Sequence, residues 1–209
     1  MKTVYWIGYL FFKCAGKAFF NRRIINEEKL VEDGGVLMCA NHESFLDPPL
    51  IGISYPENVT YLARKTLFKG FFKWLYTNWD AIPVDQENPD MTGLKNIIKA
   101  LKNGKKVVMF PEGARTLDGN LGPALPGVGL IVAKSQATVQ PMRIFGAREA
   151  LPRGSGKLRR CQIDVVVGDP IYFTKEELKE YRGKEGYQKI SERIMEAIAK
   201  IERPEFKEV

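Results

Sequence analysis

Histidine is nearly missing from this chain: in 209 residues, His42 is the only one. Acid–base chemistry near neutral pH by an unperturbed side chain therefore has a single candidate. Cysteine is almost as scarce. Cys14, Cys39 and Cys161 are odd in number and lack zinc-site spacing, which argues against a disulfide framework and a soft-ligand metal site. They read as reduced thiols of a cytosolic protein, with Cys14 and Cys39 in apolar, buried surroundings. A G-x-S-x-G elbow is absent too, which removes the usual setting of a serine acyl-enzyme. There is no repeat and no low-complexity tract, so solenoids and flexible arrays are excluded. Acidic residues are in deficit, 25 against 32 lysines and arginines, for a formal charge of +7.

That charge suits an anionic partner: a nucleic acid, an acidic membrane face, a phosphorylated ligand or an acidic protein. A solvated lysine surface is the competing reading. The length is enough for one domain with a full core. Residues 3–12 carry no charge but are too few to span a bilayer as a helix. On a helix turning about 100° per residue, Lys2, Lys13 and Lys17 fall within about 60° of one another. The rest of that helix is aromatic and aliphatic. A narrow lysine stripe on a greasy, Trp/Tyr-rich helix suits one lying in a membrane interface, with the lysines reaching out to phosphates. A core-packing helix and a cleaved signal peptide are the alternatives. The expected organisation is a membrane-associating helix over residues 1–24 and one folded domain over residues 25–209.

Along the chain, strands and helices alternate. A short polar helix or turn over residues 26–33 ends at Gly34-Gly35. Compact apolar runs at residues 36–40, 59–63, 81–84, 106–110, 138–144 and 162–167 read as strands. The run at 138–144 contains Pro141, which predicts an edge or site-lining strand. Helices are expected after Asp90 as cap, over residues 128–134, over residues 175–181 behind Thr174, and through Ile190, Ile194, Ile198 and Ile201. This alternation predicts a single-domain α/β fold with a mixed, largely parallel sheet flanked by helices.

Three stretches carry chemistry. Asn41-His42-Glu43-Ser44-Phe45-Leu46-Asp47 follows the first buried strand. Ser44 and Asp47 have capping-box spacing, and Asp47 can itself cap the helix that Pro48 and Pro49 open. Either way His42 sits beside a helix N-terminus. One reading is a capped polar turn. The other is a carboxylate that orients the imidazole, whose second nitrogen then takes a proton from a hydroxyl. Phe110-Pro111-Glu112-Gly113-Ala114-Arg115-Thr116 ends another buried strand, where α/β sheets collect ligand sites. Arg115 offers a planar fork for a phosphate, and an ion pair between Glu112 and Arg115 bracing the turn is the bland alternative. Val139-Gln140-Pro141-Met142-Arg143-Ile144 alone says only that a strand contains a proline.

In order and spacing these stretches resemble the blocks of the glycerolipid acyltransferase family that includes 1-acylglycerol-3-phosphate acyltransferases: N-H-x-S-x-x-D, F-P-E-G-T/S-R-S and a V-x-P-V-type strand. Tyr61-Leu62-Ala63-Arg64-Lys65-Thr66-Leu67-Phe68 is similar to the family's intervening block, and Val167-Gly168-Asp169-Pro170-Ile171 to its late Gly-Glu-Pro-Ile segment. The resemblance covers residues 25–172. It implies a glycerol-3-phosphate acyltransferase-like fold, His42 as general base and Asp47 as its orienting partner. It implies substrate-binding roles for Arg64, Glu112, Gly113 and Arg115 around an acceptor phosphate. It implies acyl transfer from acyl-CoA or acyl carrier protein to the hydroxyl of 1-acylglycerol-3-phosphate, making phosphatidic acid for phospholipid synthesis. No metal and no cofactor beyond the thioester co-substrate is implied, and no nucleic acid. An anionic membrane surface and a peripheral or monotopic location on the cytoplasmic face of the cell membrane go with amphiphilic substrates. Three family positions differ: Gln86 stands for an arginine, Asp80 for a glycine, and Ala114 for Thr or Ser. Gln86 admits another lysophospholipid or hydroxylated lipid as acceptor. A non-catalytic basic protein binding membranes or nucleic acid is the alternative of another class. Backbone N–H groups at the helix after His42 are the expected oxyanion donors, and the basic loop 148–160 either meets CoA phosphates or an acidic carrier protein or is simply solvated.

Overall fold

In the computed structural model, which describes residues 3–85 and 91–205, seven strands form one sheet between two layers of helices. The elements run α1 (Thr3–Phe20), β1 (Arg23–Ile25), β2 (Val36–Ala40), α2 (Asp47–Gly52), β3 (Val59–Arg64), α3 (Gly70–Asn78), β4 (Ala81–Val84), α4 (Met91–Lys102), β5 (Lys106–Met109), α5 (Pro126–Ser135), β6 (Thr138–Phe145), α6 (Ala147–Ala150), β7 (Asp164–Val167), α7 (Lys175–Glu180) and α8 (Gly183–Ala199). Strand order is β1-β7-β6-β2-β5-β3-β4. All neighbours are parallel except β6 and β7, so the expected largely parallel sheet is what forms.

The sequence of β2, Val-Leu-Met-Cys-Ala, has no polar alternation because both faces are covered. Leu37 and Cys39 point into one core with Ile97 of α4, Ile131 of α5 and Ile194 of α8. Val36, Met38 and Ala40 point into the other with Leu50 and Ile51 of α2 and Ala147 of α6. Each fully buried Leu or Ile contributes about 1.5–3 kcal/mol of apolar transfer free energy. Helices α5 and α8 approach so closely that a Cβ on Gly129 would stand 1.9 Å from the Tyr187 carbonyl oxygen.

Several expectations change in three dimensions. β6 is interior, not an edge. Its odd-numbered backbone groups face β7: Val139 exchanges hydrogen bonds with Ile171, and the Pro141 carbonyl accepts from Gly168 N–H at 2.9 Å. The ring nitrogen of Pro141 thus falls at the break between that bridge and the ladder that begins at Met142–Val167. The capping box at Ser44 does not form. Leu46 is the N-cap of α2 without a side-chain cap, and Asp47 is the first helical residue. Thr174, in contrast, makes its full capping box with Glu177. Cys39 is buried as expected, but Cys14 is exposed because α1 turns it away from the domain. The Asp90 cap and Gln86 lie outside the described residues.

Helix α1 divides its surface. Tyr5, Tyr9, Gly16 and Phe20 are buried, and the Tyr5 hydroxyl accepts a 3.0 Å hydrogen bond from Val59 N–H at the start of β3. Ile7, Leu10 and Phe11 are exposed, as are Phe71, Phe72 and Trp74 on the neighbouring α3. Among the described residues no helix is long and apolar enough to cross a membrane.

Candidate active site

Strands β6, β2, β5 and β3 lie side by side and parallel, so their C-terminal ends share one edge of the sheet. The predicted site residues come off those ends: His42 two residues after β2, Glu112 to Arg115 after β5, and Arg64 as the last residue of β3. Residues 22 to 73 positions apart in sequence meet there for that topological reason.

The turn after β2 is pinned by its own side chains. Asn41 is buried and acts as one more rung of the ladder: its Oδ1 accepts from Ile144 N–H at 2.8 Å, and its Nδ2 donates to the Ile144 carbonyl at 3.0 Å. Asp47 is fully buried. Its Oδ2 accepts from Glu43 N–H at 2.6 Å and Ser44 N–H at 2.8 Å, and it meets His42 Nδ1 at 2.8 Å. Proximity to an acceptor-only carboxylate makes Nδ1 the protonated nitrogen, so in the neutral ring Nε2 carries the lone pair. The imidazole stacks on Phe110 with ring centroids 4.1 Å apart at 14°. Its side chain keeps 18% of its surface exposed, and it lines a cavity of about 780 Å³.

The second stretch grips the first. Glu112 accepts from His42 N–H at 2.9 Å through Oε1 and from Gly122 N–H at 2.8 Å through Oε2. Thr116 N–H donates to the His42 carbonyl at 2.8 Å. Burial pushes the Glu112 carboxyl above its ordinary range, partly offset by those two backbone donors. Glu112 is therefore a brace for the histidine loop, not a partner of Arg115, and its residue is not part of the cavity wall, whereas Gly113, Ala114 and Arg115 are. Gly113 has φ +71°, and a Cβ there would stand 2.4 Å from Leu125 Cδ1. The Arg115 guanidinium lies 3.6 Å from the Phe45 ring centroid, a cation–π stack that fixes its direction. Burial first, then the nearby Arg153 and Arg64 charges, lower the Arg115 pKa, while Asp47 opposes them.

The cavity wall has two characters. Tyr5, Tyr9 and Phe12 of α1, Ile53, Leu62 and Trp79 make an apolar part. Arg64, Arg115 and Arg153 make a cationic part. The N–H groups expected for an oxyanion are largely committed elsewhere: those of Glu43 and Ser44 go to Asp47, that of Leu46 to Ser44 Oγ and that of Asp47 to the Ser44 carbonyl, while Pro48 and Pro49 have none. Glu43 is a partly buried carboxyl next to this centre. Burial, then the charges of Asp47 and Glu149, push it up to about 7. Sequence reasoning missed the ring of Phe110, the rung made by Asn41 and the position of Arg153. The first two stand inside recognised blocks, but their partners are 68 and 103 residues away.

The mixed, largely parallel sheet thus presents a histidine–carboxylate pair at its strand ends, beside a cavity that is apolar on one part and cationic on another. The acyltransferase family model matches residues 21–145, more than half of the chain, and this protein belongs to that family. Among curated relatives, the chain is similar to the chloroplastic 1-acyl-sn-glycerol-3-phosphate acyltransferase BAT2 of Brassica napus, at 31% identity over 150 residues, 70% of this chain and 43% of that protein. It is 29% identical to the 1-acyl-sn-glycerol-3-phosphate acyltransferase of Bacillus subtilis (strain 168) over 154 residues, 72% of this chain and 73% of that one. The aligned part thus spans less than half of the plant protein's length. Its fold is similar to that of the 1-acyl-sn-glycerophosphate (LPA) acyltransferase PlsC from Thermotoga maritima, with TM-score 0.74 at 21% identity over 95% of this chain and 80% of that one.

Proposed function

We propose that the chain transfers a fatty acyl group from an acyl thioester, acyl-CoA or acyl carrier protein, to the free hydroxyl of 1-acylglycerol-3-phosphate, giving phosphatidic acid for phospholipid synthesis. The observation that carries this reading is the His42–Asp47 contact of 2.8 Å at the wall of a cavity that is apolar on one part and cationic on another. Such a cavity suits an amphiphile with an acyl chain and a phosphate. The names of the relatives support the choice of acceptor.

In this mechanism His42 Nε2 takes the proton of the acceptor hydroxyl as its oxygen attacks the thioester carbonyl. Asp47 holds the ring in the required tautomer and stabilises the imidazolium. The tetrahedral intermediate collapses with expulsion of the thiolate, which His42 reprotonates. Arg115 and Arg64 hold the acceptor phosphate so that the hydroxyl stays within reach of the imidazole. Gly113 leaves room for that approach, and Glu112 acts through the histidine loop. Neither proton transfer nor thioester cleavage here requires a metal or a redox group. The deciding assay is thiol release from palmitoyl-CoA and from palmitoyl carrier protein, each with and without lysophosphatidic acid. Release that depends on the acceptor, with phosphatidic acid as product, is expected. Release into water, or release stimulated only by another lysolipid, would overturn the assignment.

The same reading places the enzyme on the cytoplasmic face of the cell membrane, attached to an anionic surface without spanning it. Ile7, Leu10 and Phe11 of α1 and Phe71, Phe72 and Trp74 of α3 are exposed beside the cavity-lining Tyr9, Phe12 and Tyr76 of the same helices. Serine at all six exposed positions should reduce co-sedimentation with phosphatidylglycerol vesicles; undiminished sedimentation would count against this attachment.

A further inference from the structure

The family blocks account for His42, Asp47, Arg64 and Arg115, but a further cation lines the same cavity. Arg153 lies in the loop after α6, the short helix that follows β6, the strand next to β2 on the side away from β5. The loop is built to place it. Its first residue is tied to the histidine turn, since Ser44 Oγ donates to the Leu151 carbonyl at 3.1 Å. Its ends are closed by Arg159 N–H donating to the Ala150 carbonyl at 2.8 Å. Within it, Ser155 N–H and Oγ both donate to the Pro152 carbonyl, at 3.1 and 3.0 Å. Arg153 Nη1 then donates to the Arg115 carbonyl at 3.0 Å.

Two guanidinium groups are thereby held together, one stacked on Phe45 and the other bonded to the first residue's backbone. Like charges repel, and the neighbouring Arg153 charge is felt as a lowering of the Arg115 pKa. Such an arrangement costs free energy in the unliganded protein and is relieved by a ligand of double negative charge. One arginine with one fork satisfies a singly charged phosphodiester. Two convergent arginines match the extra charge and the extra oxygen of a phosphomonoester.

We propose that Arg153 is a substrate-binding residue that, with Arg115, selects acceptors carrying a terminal phosphomonoester over those whose phosphate is a diester. This rests on the acceptor assignment made above and adds a discriminating residue that the family blocks do not contain. Gln86 stands where the family carries an arginine, and Arg153 supplies a guanidinium from a different strand end.

The test compares the whole protein with its Arg153→Gln and Arg153→Lys variants. Lysophosphatidic acid is varied at saturating palmitoyl-CoA, then the reverse, and lysophosphatidylglycerol serves as the diester acceptor. For Arg153→Gln the KM for lysophosphatidic acid should rise roughly tenfold, about 1.4 kcal/mol of binding. The KM for palmitoyl-CoA, and kcat, should change less than about twofold, as expected when uniform binding is removed. The preference for lysophosphatidic acid over lysophosphatidylglycerol should fall by the same factor, and lysine should restore part of it. Protection by millimolar glycerol 3-phosphate against thermal unfolding should weaken in parallel. A KM rise for palmitoyl-CoA alone would assign Arg153 to the donor's phosphates and overturn the proposal. So would an unchanged KM for lysophosphatidic acid in a wild-type background that uses it. A wild-type protein that does not acylate lysophosphatidic acid would instead remove the acceptor assignment, and the role of Arg153 with it.

Discussion

Asp47 and Asp164 are both buried to zero exposure, and both accept several short hydrogen bonds. Asp47 lies at the strand-end edge that holds the cavity. Two of its three partners are backbone N–H groups three and four residues before it, and the third is the ring of His42. Asp164 starts β7, and the antiparallel pairing sets it beside Phe145 at the end of β6, two strands to the side of β2. It binds Arg23 Nε at 2.7 Å, Arg203 Nε at 2.6 Å and Gln162 Nε2 at 3.1 Å. Those arginines come from β1 and from the segment after α8, so Asp164 ties the two ends of the domain to the same strand. A buried carboxylate must be compensated in either place. The difference is in what compensates it. Closed by fixed guanidinium charges, it is a clasp. Closed by two backbone donors and an imidazole whose other nitrogen faces a cavity, it leaves one group able to gain and lose a proton.

That comparison predicts separable losses. His42→Ala should reduce turnover by about 10²–10⁴-fold or more, the ordinary contribution of a positioned base, with little change in Tm. Near-normal activity in this variant would dissolve the functional side of the comparison. Asp47→Ala should lower both activity and Tm, because it removes the orienting partner and also the acceptor for Glu43 and Ser44 N–H. Asp164→Asn should leave kcat near wild type at low temperature while costing about 3 kcal/mol, as breaking a buried pair does. In a domain of this size that is a Tm lower by roughly 10 °C, measured by calorimetry. If Asp164→Asn impaired kcat as severely as His42→Ala, the two carboxylates would not be distinguishable by role.

The smallest expected effect concerns Glu43. Its carboxyl is pushed up to about 7, so between the ordinary carboxylate range and pH 7 the folded protein binds its proton more tightly than the unfolded chain. With more protons bound in the folded state, stability falls as pH rises through that window. Glu43→Gln keeps an oxygen for the Asn41 amide, which donates to Glu43 Oε1 at 3.0 Å, and removes the charge. Its Tm should exceed wild type at pH 8 and match it near pH 4.5. An equal difference at both values would mean that the carboxyl does not titrate there.

Much of this was legible locally. β2 reads as buried because five apolar residues in a row need cover on both faces. The Thr174 box works because its donors and acceptors are all within one turn. Ser44 and Asp47 have the same kind of spacing and make one of the two box bonds, Ser44 N–H to Asp47 Oδ2, but Ser44 Oγ donates to the Leu151 carbonyl and accepts from Leu46 N–H, so the other bond never forms. β1 is three residues long, too short for any periodic signal, and it forms because Arg23 to Ile25 find β7 in register. Pro141 predicts an edge only if the break in the neighbouring ladder is unknown, and that neighbour lies beyond residue 163.

By itself the sequence determined the fold class, because alternation of short elements is a property of nearby residues, and its resemblance to known blocks pointed to the family and singled out His42 and Asp47, which the structure brings into contact. Only the tertiary structure decided that Glu112 holds His42, that Arg115 stacks on Phe45 and that Arg153 lies against Arg115. These partners sit on different strand ends, and which ends become neighbours is set by strand order, which no local pattern encodes.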